Sequence, residues 1–165
     1  MIEVRLVSLN ADAATGQPIV LLQPLEASTA EAASRMLPIW IGHPEAMAIL
    51  LALQGEELAR PMTHDLLKNT IELLGYHVVR VEVTRLEEGT YYAEIVLSDD
   101  HGEVVIDARP SDSIALAVRA GCPLYVAEDV FEQAAVSVQS ADETEREVEQ
   151  FREFLDHVDP SDFMS

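Results

Sequence analysis

Two carboxylates, two arginines and two hydroxyls crowd around one proline between Val105 and Arg119: Asp107, Asp112, Arg109, Arg119, Ser111 and Ser113, about Pro110. Both signs of charge at one bend suit gripping an anion through guanidinium and helix N–H groups, or a cation through carboxylates. Pro110 fits the first turn of a helix, where its missing N–H costs nothing. Gly121 fits the left-handed end of that helix. The spacing therefore predicts Asp107 leaving a strand, Arg109 at the bend, and Ser111 and Asp112 in the first helical turn.

The flanking segments predict what holds this corner. Residues 2–10 and 18–25 read as a hairpin of half-buried strands around the turn formers of 10–16. Leu37–Ile41 reads as a buried strand stopped by Gly42, and His43-Pro44-Glu45 opens a helix to about Leu53, apolar on nearly every side and so expected to bury more than one face. Thr63 is the expected N-cap of a helix ended by Gly75. Residues 79–84, 90–98 and 103–107 form an antiparallel meander that delivers the chain to the corner. A short strand at 123–126 and a short helix at 128–135 follow. Residues 26–36 fit either a surface helix or a loop. Residues 141–157 read as an acidic amphipathic helix with Val148, Phe151, Phe154 and Leu155 as its stripe. The expected fold class is α+β: a mixed, largely antiparallel sheet with helices packed on it. Ile39–Glu45 and Val105–Ser111 share a strand, a bend and a proline-led helix, an echo compatible with internal duplication that pairs Glu45 with Asp112 after a one-residue slip.

Composition bounds the rest. At 165 residues, 48% of them hydrophobic, the chain suffices for one well-packed domain. Its longest apolar run, Ala46–Leu53, is too short for a bilayer. One cysteine, Cys122, allows no internal disulfide and no CxxC zinc site. A soluble cytoplasmic protein without membrane association is expected. Thirty acidic against ten basic residues give −20. Residues 140–165 carry −7 and the remaining 139 carry −13, so the acidity is global. Such a surface repels nucleic acid at long range, and a polyanion must be held by a local patch or by divalent cations.

Five blocks then resemble the bifunctional nuclease domain family, in that family's order. They are Leu37-Pro38-Ile39-Trp40-Ile41-Gly42 with Glu45-Ala46; Arg60-Pro61-Met62-Thr63-His64-Asp65-Leu66-Leu67; Gly89-Thr90-Tyr91-Tyr92-Ala93; Asp107-Ala108-Arg109-Pro110-Ser111-Asp112-Ser113-Ile114-Ala115-Leu116; and Pro123-Leu124-Tyr125-Val126. The resemblance covers residues 1–136 as the nuclease-type domain. Residues 137–165, ending Asp159-Pro160-Ser161-Asp162-Phe163, look like the acidic helical extension of bacterial members. It implies a compact, self-associating α+β domain, a dimer being favoured, in a family named for activity on RNA and DNA. It assigns no mechanism.

The roles expected of the residues follow from their chemistry. Phosphodiester hydrolysis by so acidic a chain is best served by Mg²⁺ or Mn²⁺, which activates water and neutralises phosphate. Glu45, Asp107 and Asp112 are the candidate metal ligands. Glu45, Asp65 and Asp112 also suit helix first turns, where negative charge gains about 0.3–1 kcal/mol. Asp107 ends an apolar strand and needs a partner there, Arg109 or a metal. Arg60 and Arg109 are the phosphate-binding candidates. Arg109 serves equally as a staple to Asp107 or Asp112, and Arg60 to Glu56, Glu57 or Asp65. Histidine titrates near neutrality, which makes His64 the candidate general base, oriented by Asp65 or another carboxylate. The catalytic set is thus His64, Asp65, Asp107, Arg109 and Asp112, with His43 available to the same cleft. Trp40, Tyr91 and Tyr92 suit base stacking or ordinary packing. The rival class is a non-catalytic oligomeric module that binds an anionic ligand or a protein partner.

Overall fold

A computed structural model describes residues 1–26, 29, 33–55 and 58–137. The helix expected over 141–157, Glu56, Glu57 and much of 26–36 lie outside the described residues.

Strands β1 (Ile2–Ala11) and β2 (Pro18–Pro24) form the expected hairpin, and β3 (Arg35–Trp40) pairs with β2. Helices α1 (His43–Gln54) and α2 (Thr63–Leu73) come next, followed by the meander β4 (His77–Glu87), β5 (Thr90–Asp99) and β6 (Gly102–Ala108). Helix α3 (Pro110–Ala120), strand β7 (Leu124–Val126), helix α4 (Glu128–Ala134) and strand β8 (Val136–Ser137) complete the described chain. The eight strands make one sheet in the order β6-β5-β4-β7-β1-β2-β3-β8. Every pairing is antiparallel except β4 with β7. The α+β expectation, with a mixed and largely antiparallel sheet, is therefore met.

That one parallel pair fixes the centre of the molecule. Parallel neighbours need a long crossover, usually helical, and here it carries α3 back across β4 and β5. Helices α1 and α2 pack on α3 in turn. Ile114, Ala115 and Leu116 of α3 are accordingly buried against Val81 and Val83 of β4 and Ala93, Ile95 and Leu97 of β5, in one cluster with Ile49 of α1 and Ile71 of α2. The alternation of these valines with Arg80, Glu82 and Thr84 put them on one face, as a period of two demands. The sheet also curls: Tyr91 on β5 donates its hydroxyl to the Pro38 carbonyl on β3, across the core.

Two local expectations are corrected. Helix α1 buries Ala46, Ala48 and Ile49 but exposes Met47, Leu50 and Leu53, so among the described residues one face only is covered. The N-cap of α2 is Met62, one residue before Thr63. Asp65 explains the shift, since its carboxylate reaches back 2.9 Å to the Met62 N–H and closes the first turn itself. No helix of the described residues is long and apolar enough to cross a membrane.

Candidate active site

Three helices begin around one cleft. Pro44 and Glu45 are the second and third residues of α1, Thr63 and His64 the first and second of α2, and Asp112 the third of α3, whose N-cap is Arg109. With Ala48 and Met62 they line a cavity of about 240 Å³. The corner sequence explains α3: Pro110 occupies its first position, and Gly121 at φ 65° turns its end so that its N–H reaches the Ala117 carbonyl. First-turn N–H groups carry partial positive charge, so three of them facing one space favour anions.

The side chains form a single chain of bonds. His64 Nε2 lies 2.9 Å from Asp112 Oδ1. Arg109 donates from Nε to Asp112 Oδ2 at 2.7 Å and from Nη2 to Glu45 Oε1 at 2.8 Å. Burial raises the Asp112 carboxyl pKa, but the bonds from Arg109 and His64 outweigh it and hold the group below the usual carboxylate range. Asp112 and Glu45 in return keep Arg109 firmly protonated. A carboxylate can only accept, so Nε2 carries a proton, and in the neutral imidazole it is Nδ1 that keeps the lone pair. Among the described residues Nδ1 has no partner, and the one buried side-chain polar atom without a partner is Ser113 Oγ. Nδ1 is therefore open to solvent, although His64 as a whole is buried.

Residues 27–139 match the family model of the Bifunctional nuclease domain. The chain belongs to the bifunctional nuclease domain family. An uncharacterized protein of Mycobacterium tuberculosis (strain ATCC 25618 / H37Rv) is 42% identical over 168 residues, spanning 98% of this chain and 97% of its own length. Bifunctional nuclease 2 of Oryza sativa subsp. japonica is 30% identical over 120 residues, which cover 71% of this chain and 35% of the plant protein. Bifunctional nuclease 2 of Arabidopsis thaliana is 34% identical over 94 residues, covering 55% and 29% respectively.

Within this bifunctional nuclease domain the residues singled out from sequence divide in two. Glu45, His64, Arg109 and Asp112 come together. Asp107, Asp65 and Arg60 do not join them. Asp107 lies on the edge strand β6, opposite Glu94 and exposed, and its side chain has no hydrogen bond or ion pair among the described residues. The expected Asp107–Arg109 pair does not form: among the described residues nothing covers β6, so its carboxylate is exposed and needs no partner, while Arg109 takes Asp112 and Glu45. Asp65 orients not His64 but Arg119, accepting from its Nε at 2.6 Å. That bond and the Met62 N–H hold the Asp65 carboxyl below the usual range. Arg60 is exposed in the connector before α2 and does not line the cleft. His43, Trp40, Tyr91 and Tyr92 also stand outside it; Trp40 donates to Asp12, and Tyr92 lies under the Arg85 guanidinium.

The expected metal set fares likewise. Glu45 and Asp112 both face a guanidinium, Asp107 is elsewhere, and among the described residues no three His, Cys, Asp or Glu side chains are grouped to hold an ion. As they are arranged among the described residues, these donors do not fit a resident divalent cation. Gly42, which the sequence suggested only as a strand stop, also bears on the geometry of the cleft. A Cβ there would overlap Glu45 Oε2, so the missing side chain makes room for the carboxylate that Arg109 uses.

Proposed function

We propose that the cleft is a phosphodiester-hydrolysing site and that the protein is a nuclease acting on RNA or DNA. The observation that supports this most is the convergence of an open His64 Nδ1, backed by Asp112, with an Arg109 guanidinium whose Nη1 edge is unengaged and whose side chain is 66% exposed. Arg109 and the first-turn N–H groups would hold the non-bridging phosphate oxygens, offsetting locally the repulsion of a −20 chain. His64 Nδ1 takes a proton from the attacking water as the P–O bond to the departing sugar oxygen breaks, that oxygen leaves as a hydroxyl with a proton from solvent, and Asp112 stabilises the imidazolium so formed. Glu45 positions Arg109. This is acid–base chemistry by the chain's own residues.

The test is cleavage of labelled single-stranded RNA and DNA by highly purified protein in Mg²⁺, in Mn²⁺ and in EDTA, beside His64→Ala purified identically. Cleavage that survives EDTA and is lost in His64→Ala is the expected result. Cleavage that needs a metal would restore the carboxylates as ligands and demand that Arg109 release them. Cleavage unchanged in His64→Ala would remove the mechanism.

A specific observation favours one addition. Met47, Leu50 and Leu53 on α1, Leu66 and Leu73 on α2, and Leu74 at its C-cap are large apolar residues left exposed. Self-association as a homodimer, or docking of a protein partner, would cover them. Sedimentation showing a monomer at all concentrations would reject the homodimer.

A further inference from the structure

A second cleft, of about 280 Å³, shares Met62 with the first. Leu51, Leu58 and Met62 give it apolar walls, and the Asp65–Arg119 pair gives it one polar end. It is smaller than the range typical of drug-sized ligands and suits a flat group the size of one nucleobase. His64 and Asp65 are consecutive in the first turn of α2 and each lines a different cleft.

The polar end is built and only partly used. Arg119 is 8% exposed; its Nε donates to Asp65 and its Nη1 to the Ala115 carbonyl. Its Nη2 has no partner among the described residues, and Arg119 lines the cleft. Asp65 accepts one bond at each oxygen, leaving a lone pair on each. Beside one another at this end the pair thus offers two acceptor sites and one donor. The Watson–Crick edge of guanine presents two adjacent donors, N1–H and N2–H, and one acceptor, O6. Adenine, cytosine and uracil do not carry two adjacent donors.

We propose, resting on the phosphodiester reading of the first cleft, that the second is a guanine-binding subsite. Asp65 accepts from N1–H and N2–H, Arg119 Nη2 donates to O6, and Leu51, Leu58 and Met62 pack on the ring. Guanine occurs in RNA and DNA alike, so the subsite selects a position along a strand and not a kind of strand. Unlike a phosphate, the base is uncharged, and the acidic surface does not oppose its entry.

The experiment is calorimetric titration of the full chain with guanosine, adenosine, cytidine and uridine, repeated on Leu58→Trp and Asp65→Asn. Leu58 is half exposed in a connector, so tryptophan there fills the cleft without disturbing the core. Hydrolysis of bis(p-nitrophenyl) phosphate, which has no base, is followed in parallel for Leu58→Trp. Guanosine should bind at least about tenfold tighter than the others, which is about 1.4 kcal/mol. Both variants should lose that preference, and Leu58→Trp should keep its hydrolysis rate. Equal affinities for the four nucleosides, or a guanosine preference that survives Leu58→Trp, would overturn the subsite even where hydrolysis is robust. Guanosine preference lost in Leu58→Trp, in a protein that hydrolyses nothing, would keep the subsite and remove the phosphodiester reading.

Discussion

His64 Nε2 and Asp112 Oδ1 stand 2.9 Å apart although 48 residues separate them in the chain. The contact joins the first turn of α2 to the first turn of α3, and through Asp112 it also reaches Arg109 and Glu45. Four side chains from three helices thus act as one unit, and substitutions within it should couple.

The Asp112 carboxyl lies below the usual range in the folded protein. A depressed carboxyl contributes stability that is fully present above its unfolded value of about 3.9 and is lost as pH falls through the lower folded value. Denaturant titrations from pH 6 to pH 2 should therefore show wild-type stability falling below about pH 4. Asp112→Asn should be less stable at pH 6 and flatter across the acid range. Equal slopes for the two proteins would mean that the Arg109 and His64 bonds do not survive in solution.

His64→Ala should lower cleavage by roughly 10²–10⁴-fold, the usual worth of general-base catalysis. Arg109→Lys should lower it by about 10²-fold, because an ammonium cannot span two carboxylates and still present a planar edge to phosphate. Asp107→Ala should leave the rate within about twofold, as expected of a distant side chain with no shared partner. Steady-state rates with circular dichroism to confirm folding decide all three. A large loss in Asp107→Ala would return β6 to the site.

Gly42→Ala isolates the role of Glu45. Gly42 has φ −75° and ψ 158°, which any residue adopts, so the backbone is not strained. The added Cβ displaces the Glu45 carboxylate, the end of a flexible side chain, and stability should change by less than about 1 kcal/mol. Cleavage should fall roughly tenfold as Arg109 loses its second anchor. A variant with wild-type activity would show that Glu45 does not position Arg109.

Ser113 Oγ is fully buried and has no hydrogen-bond partner among the described residues. An unsatisfied buried hydroxyl costs about 1–3 kcal/mol, and alanine also favours the helix. Ser113→Ala should stabilise the protein by about 1 kcal/mol, raising the thermal midpoint by roughly 2–4 °C. Calorimetry checks this, and a lowered midpoint would reveal a partner for the hydroxyl.

The strand–bend–helix corner was legible because its signals are local. Pro110 and Gly121 bound α3 as their backbone chemistry requires, and the alternation of Val81 and Val83 with charged residues set the face of β4. The echo between the two proline-led corners was legible as well: Glu45 and Asp112 both occupy third helical positions. Asp107 misled for a physical reason. Its strand is apolar in sequence, but Val104, Val105 and Ile106 lie exposed at the sheet edge, and edge position is not a local property. The apolar α1 misled in the same way, since composition does not say how many neighbours a helix will have.

The sequence by itself determined the class of fold, the corners and the family, because periodicity, caps and ordered motif blocks are written within a few residues of one another. Tertiary structure alone decided which carboxylate meets which cation. His64 goes to Asp112 and not to its neighbour Asp65, Arg109 bridges to Glu45, 64 residues away, and Arg119 claims Asp65 from two turns down α3. Side chains at adjacent helical positions point about 100° apart. The partner of each is therefore set by the element packed opposite it, and that element is chosen by the crossover of α3 beneath α1 and α2.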